Sequence, residues 1–359
     1  MAEACPEYRL RLFMSVDLTG STAYKARRED RDPDSLSPNP AWVERMRRFY
    51  RGFPARLATE FQKLWKGKGE PYPMDCPAVW KTVGDEIIFA TRLKDMTHME
   101  VCVQAFIAAL KSYGSVLETE KEQLDVKGYA WTASFPYPNV TLGEAFGEEE
   151  AFELPDEETE NLADIKPSDF DFLGKHIDCG FRISKFASTS ALIVSIEVFY
   201  LLVQGAKLGA FGDLHFQYEG RQHLKGVIGD APYPIFSLDT ERNADKKSLR
   251  SREERLLPER KKFDNNEAWD FVVEFMAMTE MEVPVLPKMG EIANPPPAYA
   301  EYVASWDANR QEILERDKTA ADAELGDETQ TSGELALDMD QLLADLADRL
   351  ASIVVPKKK

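Results

Sequence analysis

Cysteine is scarce, with Cys5, Cys76, Cys102 and Cys179 the only four in 359 residues. They are scattered, without CxxC spacing or pairing with histidine. This argues against a disulfide framework or structural zinc and fits a reducing, cytoplasmic compartment. Long apolar runs are missing too. The strongest, ALIVSIEVFYLLV at 191–203, is short and carries Glu197, well below the roughly 18 residues of a membrane span. The first residues, MAEACPEYRL, lack the basic-then-apolar layout of a secretion signal, so no membrane association is expected. Positive charge is in deficit: 44 Lys and Arg against 63 Asp and Glu give a net charge of −19. That balance disfavours nucleic acid as a partner, because phosphate contacts dominate such binding. A polyanionic substrate would need local cations or a bridging metal. No internal repeat is present.

What remains is a chain long enough for one large domain with an appendage, and its 43% hydrophobic content is adequate for a packed core. Residues 8–240 alternate β-rich runs with helical patterns, as in an α/β or α+β domain. Strands are expected at Tyr8–Val16, Val79–Lys81, Glu86–Thr91, Lys127–Phe135, Ala191–Ser195 and Tyr233–Leu238. Helices are expected at Ala41–Trp65, Met96–Tyr113, His176–Phe186 and Glu197–Gln204. An acidic insertion at about 144–166, with nine acidic residues in 144–160, reads as exposed and mobile. A helical extension at 241–317 and a linker at 318–332 follow. The last element is an amphipathic helix at 333–355, whose Leu335, Met339, Leu342, Leu346, Leu350 and Ile353 recur every three or four residues. Its apolar stripe suits packing on its own domain or against a partner helix.

Two carboxylates stand out. The run RLFMSV ends on Asp17, followed by Leu18-Thr19-Gly20-Ser21-Thr22. In VWKTVGDEIIFAT, two β-rich runs flank Gly84-Asp85, and Gly in the first central position suits a type II′ hairpin with Asp85 at its tip. Either aspartate alone is an ordinary strand-end or turn residue. If the strands are antiparallel neighbours, the two carboxylates and the Leu18 carbonyl form an all-oxygen site for Mg²⁺ or Mn²⁺. Two such ions roughly 3.5–4 Å apart suit in-line attack at phosphorus. A third stretch, DFDFLGKHIDCGFRISKFAS, places Asp178 and Arg182 at i, i+4 on a helix, where a surface ion pair is the plain alternative to a function.

Together these stretches resemble the catalytic domain of class III nucleotide cyclases. The family's Asp-x-x-Gly-[Ser/Phe]-Thr element is met by Asp17–Thr22, and its Lys-Thr-[Val/Ile]-Gly-Asp hairpin by Lys81–Asp85. Its Asp-x-x-Gly-x-x-[Val/Ile]-Asn-x-x-x-Arg segment is met by Asp171–Arg182 except at Asp178. STSALIVSIEVFYLL and LKGVIGDAPYPIFSL are similar to its later elements. The resemblance covers about 8–240 and implies an α+β fold, a ferredoxin-like sheet with flanking helices. It implies a homodimer with sites shared across the interface and a nucleoside triphosphate substrate. Asp17, Leu18 and Asp85 would hold two divalent ions per site, Mn²⁺ or Mg²⁺. Arg182 and Asp178 would be catalytic, with Arg182 stabilising the pentacoordinate phosphate from the partner subunit. Lys81 and Asp171 would read the base.

Asp178 departs from the family's Asn. When ionised it cannot donate a hydrogen bond, so it is protonated, accepts from a sugar hydroxyl, or pairs with Arg182. Gly20, Ser21 and Thr22, where the next helix begins, are candidates for phosphate contact, as are Arg48 and Lys225; the family's own triphosphate lysine falls at Val227. The cluster ERMRRFYRGFP reads as an amphipathic helix face or as a triphosphate or base contact, with Tyr50 placed to crowd a base. The compact layout further resembles the pyrimidine cyclases of bacterial Pycsar anti-phage systems. That subgroup implies a cyclic pyrimidine nucleotide, from UTP in preference to CTP, read by a separate effector protein. Adenylate cyclisation is the alternative, because a Lys/Asp pair also reads adenine; a silent nucleotide-binding module is the third reading.

Overall fold

The computed structural model describes residues 4–27, 38–66, 75–120, 122–143, 155–209, 214–229, 231–256, 264–292 and 294–315. The expected linker at 318–332, the terminal helix at 333–355 and the insertion's first part, 144–154, lie outside the described residues. The chain divides into a unit of Met1–Tyr302 and a second of Val303–Lys359, of which 303–315 are helical.

The first unit opens with β1 (Arg9–Thr19), α1 (Ser21–Arg27), α2 (Ala41–Lys66), β2 (Ala78–Val83), β3 (Glu86–Arg92), α3 (Met96–Glu120) and β4 (Asp125–Phe135). Strand pairing is antiparallel in the order β2-β3-β1-β4, which is the βαββαβ ferredoxin-like arrangement. The strands then continue with β5 (Val140–Leu142), α4 (Glu157–Ile165), β6 (Asp171–Leu173), α5 (Lys175–Ile183), β7 (Ala191–Val194), α6 (Ile196–Lys207), β8 (Phe216–Gln222) and β9 (Tyr233–Asp239). β7 joins β4 in parallel, and β9 and β8 complete a seven-stranded sheet, while β5 and β6 pair separately. The extension supplies α7 (Ala244–Leu256) and α8 (Asn265–Met278). The fold is thus α+β, a central sheet with flanking helices.

Side-chain alternation assigns the two faces of the sheet. On one, α2 and α3 pack with Phe49, Phe53, Leu57 and Phe61 of α2 buried at helical spacing. Gly128 of β4 lets the Phe106 ring of α3 approach: a Cβ there would lie 2.9 Å from it. On the other face, Phe13, Tyr129 and Trp131 stack, with ring centroids 5.2 and 5.3 Å apart. There α5 crosses so closely that a Cβ on Gly180 would sit 2.3 Å from Trp131.

The second half of the acidic insertion is a helix with one face buried and the other exposed. Asp156 caps α4 by accepting from the Thr159 amide at 2.7 Å, and α4 docks on two arginines buried in β1. Arg9 reaches Glu157 at 2.5 Å and Asp164 at 3.2 Å. Arg11 pairs with Glu160 and Asp164, both at 2.7 Å, and donates to Thr141 of β5 at 3.0 Å. Its guanidinium also lies 4.6 Å and 4.8 Å from the ring centroids of Phe135 and Phe172. The acidic side chains are there to neutralise Arg9 and Arg11, so a composition that suggests solvation instead marks a buried ionic layer. β8 was not expected either: FQYEGRQ is a polar edge strand, irregular between Tyr218 and Arg221.

Candidate active site

β1 runs three residues beyond its expected end at Val16, and this extension builds the site. Asp17 stands opposite Glu86 of β3 and Lys127 of β4, so all three share a face. The β2–β3 hairpin turns on Gly84 and Asp85, with φ of +63° at Gly84 and no positive φ at Asp85, as a type II′ turn requires. The Leu18 amide donates to the Asp85 carbonyl at 3.1 Å. The end of β1 and the hairpin tip are therefore adjacent, the antiparallel neighbourhood that the sequence suggested.

Each aspartate already faces a cation. Asp17 lies 3.1 Å from the Lys127 ammonium and Asp85 4.0 Å from Lys25 of α1, with side chains about three-tenths exposed at 28% and 30%. The Ser21 hydroxyl donates to the Asp85 carboxylate. Gly20 turns the chain from β1 into α1 at φ +87°, where a Cβ would meet the Gln123 carbonyl at 2.6 Å. Thr22 is exposed in the first turn of α1. Glu86 is engaged on its own account, accepting from the Ser15 and Tyr129 hydroxyls; burial, then the Glu86 charge, push the Tyr129 phenol up.

Among the described residues no three Asp, Glu, His or Cys side chains cluster as metal ligands. The donors available at the hairpin are two carboxylates and main-chain oxygen, held partly shielded and balanced by lysines. This hard, anionic oxygen set fits Mg²⁺ or Mn²⁺ and not a soft metal.

Tyr50 of α2 donates its hydroxyl to the Gly84 carbonyl, and burial, followed by the Asp85 charge, raises its phenol pKa. Two arginines of the basic cluster on α2 turn elsewhere. Arg45 is buried against Glu120 and Glu122, the latter at 2.8 Å, and exposed Arg48 sits 3.5 Å from Glu44. Lys81 pairs with Asp171, and its ammonium lies 4.3 Å over the Trp80 ring. The Trp80 indole donates to the Phe170 carbonyl at 2.9 Å, which ties the hairpin to the segment leading into β6.

α5 presents Asp178 and Arg182 to solvent. The i, i+4 ion pair is not formed; neither has an ion-pair partner among the described residues. Lys225 is exposed in the turn between β8 and β9, at the sheet edge opposite the hairpin within one chain.

Lys127, Lys25 and Asn139, which accepts the His176 amide at the start of α5, carry no local signal as site residues in the sequence. Lys127 earns its place only through the register of β4 against β1, which no local pattern reports. Asn139 could have been suspected from the FPYPN turn, where an amide next to proline often organises backbone.

No protein-family model matches the chain, and no curated protein matches its sequence. Among solved structures, it is similar to the adenylyl cyclase CyaB from P. aeruginosa, at 13% identity and a TM-score of 0.40 over 65% of this chain and 94% of that one. It is also similar to the guanylyl cyclase Cya2, at 15% identity and a TM-score of 0.39 over 66% and 93% of the two chains. A third is the guanylate cyclase domain of RhGC from Catenaria anguillulae in complex with GTP, at 11% identity and 0.38 over 66% and 100%. No helix among the described residues is long and apolar enough to cross a membrane.

Proposed function

We propose that this protein is a metal-dependent nucleotide cyclase acting on a pyrimidine nucleoside triphosphate. The observation that carries the reading is the meeting of Asp17 with the hairpin tip that bears Asp85, through the Leu18–Asp85 backbone bond of 3.1 Å. Asp17, Asp85 and main-chain oxygen at Leu18 would hold the divalent ions. When bound, these supply charge neutralisation at the phosphates and activation of the ribose 3′-oxygen. That oxygen attacks the α-phosphorus, its proton leaves to solvent, and the bond to pyrophosphate breaks.

The chain's own groups divide the remaining work. Lys81 and Asp171, which pair with each other, would read the base. Uracil offers acceptors at O2 and O4 to the Lys81 ammonium, and cytosine offers a donor at N4 to Asp171. The same pair supports adenine as a second reading. Tyr50, fixed on the hairpin, supports a small base, and UTP is favoured. Exposed, unpaired Arg182 is free to reach the α-phosphate in a second active site, which supports a homodimer with Arg182 of the partner subunit completing each centre. Asp178 beside it would accept from a sugar hydroxyl. Ser21 and Thr22 remain candidates for phosphate contact. A cyclic pyrimidine nucleotide made in this way would act as a messenger to a separate effector, in keeping with a defence role against phage.

Complementation tests the shared-site reading. Asp85→Ala and Arg182→Ala are each expected to lower turnover at least a thousandfold while remaining folded. Mixed and allowed to exchange, they should regain roughly a quarter to a half of wild-type activity, since one intact centre forms per heterodimer. Confirmed exchange without recovery contradicts shared sites.

A further inference from the structure

α5 begins without a cap of its own. Its N-cap is Gly174, at φ +143° and with no side chain to satisfy the free amides of the first turn. The missing acceptor comes from another part of the chain. Asn139, fully buried just before β5, accepts the His176 amide on its Oδ1 at 3.1 Å. Its Nδ2 donates to the Ser134 carbonyl at 2.9 Å and lies 2.9 Å from His176 Nδ1.

Two backbone groups fix the orientation of that amide. The His176 N–H can only donate, so the atom facing it is oxygen. The Ser134 carbonyl can only accept, so the atom facing it is nitrogen. The second Nδ2 proton therefore points at His176 Nδ1, which must carry a lone pair, and the imidazole proton resides on Nε2. Gly174 is part of the same lock, since a Cβ there would meet Asn139 Oδ1 at 2.4 Å. Further along, α5 is held against Trp131 at Gly180. The helix is thereby pinned at its start and its middle, and its exposed face carries Asp178 and Arg182.

We propose that Asn139 is a positioning residue for the cyclisation: by capping α5 from outside the helix and bracketing His176, it fixes the helix that presents Asp178 and Arg182. The proposal rests on the cyclase reading for its catalytic consequence, and on the amide geometry alone for the cap. Burial holds the His176 imidazole neutral, with its pKa lowered to about 3, in keeping with an Nδ1 that accepts and is not protonated.

The test pairs kinetics with a spectroscopic readout. Asn139→Asp keeps size and shape, yet sets a carboxylate oxygen against the Ser134 carbonyl and draws the imidazole proton to Nδ1. Its kcat, counted per Mn²⁺-binding site so that unfolded protein does not contribute, should fall at least tenfold. KM for the nucleotide and Mn²⁺ affinity should stay within threefold. In wild-type protein, ¹⁵N NMR of His176, assigned by its loss in His176→Gln, should show the Nε2–H tautomer and no titration between pH 5 and 8. A kcat within twofold of wild type in Asn139→Asp overturns the positioning role. A wild-type Nδ1–H tautomer, or titration near pH 6.5, overturns the cap even if the variant does not fold. Wild-type protein that cyclises no nucleotide overturns the cyclase reading and the catalytic consequence with it, while the tautomer still decides the cap.

Discussion

Lys127 and Lys25 occupy the ground that a divalent cation would have to share. With ammonium groups 3.1 Å from Asp17 and 4.0 Å from Asp85, they balance the charge of the two carboxylates, and a metal bound there would have to displace them. Lys127→Met should therefore tighten Mn²⁺ binding in the absence of nucleotide, by about threefold or more, as expected for removing a like charge a few ångströms away. Titration of free Mn²⁺ by electron paramagnetic resonance reads this directly; unchanged or weaker binding means that the lysine does not face the metal. Asp17 and Asp85 stood out in the sequence because strand-end and turn chemistry is local, whereas Lys81 and Asp171 were singled out through the family resemblance. Lys127 was not, because its position opposite Asp17 depends on a register set by eleven paired residues of β1 and β4.

At the scale of elements, α4 is the clearest lesson. Its sequence carries a helix start, Asp156 as cap with Glu157 and Glu158 in the first turn, but the surrounding acidity reads as a solvated insertion. What decides the matter is Arg9 and Arg11, two charges on the buried face of a central strand that need carboxylates brought to them. Arg11→Met leaves Glu160 and Asp164 with a buried charge short of a partner. It should cost about 3–5 kcal/mol, measured as a lowered midpoint in urea with an unchanged slope; a loss under about 1 kcal/mol would mean that α4 is not latched by this pair.

The start of α5 gives a second test at this scale. Burial lowers the pKa of both His176, to about 3, and His98. Between the unfolded value near 6.5 and the folded one, the unfolded chain holds more protons than the native chain. Stability is therefore present above about pH 6.5; the His176 share is lost as pH falls toward 3, by up to about 1.4 kcal/mol per pH unit, and His98 acts in the same direction. Urea denaturation from pH 7.5 to 5 should show a shallower decline for His176→Gln than for wild type, and equal slopes would contradict a neutral imidazole in the native state.

For the whole molecule, the succession of elements was readable in outline. Apolar runs marked the five central strands and the Gly-Asp turn marked the hairpin, while the ferredoxin-like sheet was what the family resemblance implied. The small β5–β6 pair and the edge strand β8 were not readable, since three-residue strands and a polar edge lack the alternation that burial imposes. The extension folds back on the start of the chain: Tyr299 donates to the Pro6 carbonyl at 2.5 Å, and Tyr302 stacks on Tyr137 at 5.5 Å. A helical pattern alone does not reveal that return. The fold leaves Asp17 and the Asp85 hairpin tip at one end of the sheet and Arg182 exposed on α5. The most direct test is to incubate the purified protein with each of the four nucleoside triphosphates and Mn²⁺ and to separate the products. A 3′,5′-cyclic pyrimidine nucleotide and pyrophosphate are expected, with UTP the best substrate. No cyclic product from any nucleotide would contradict the cyclase reading, and product from ATP alone would contradict the pyrimidine one.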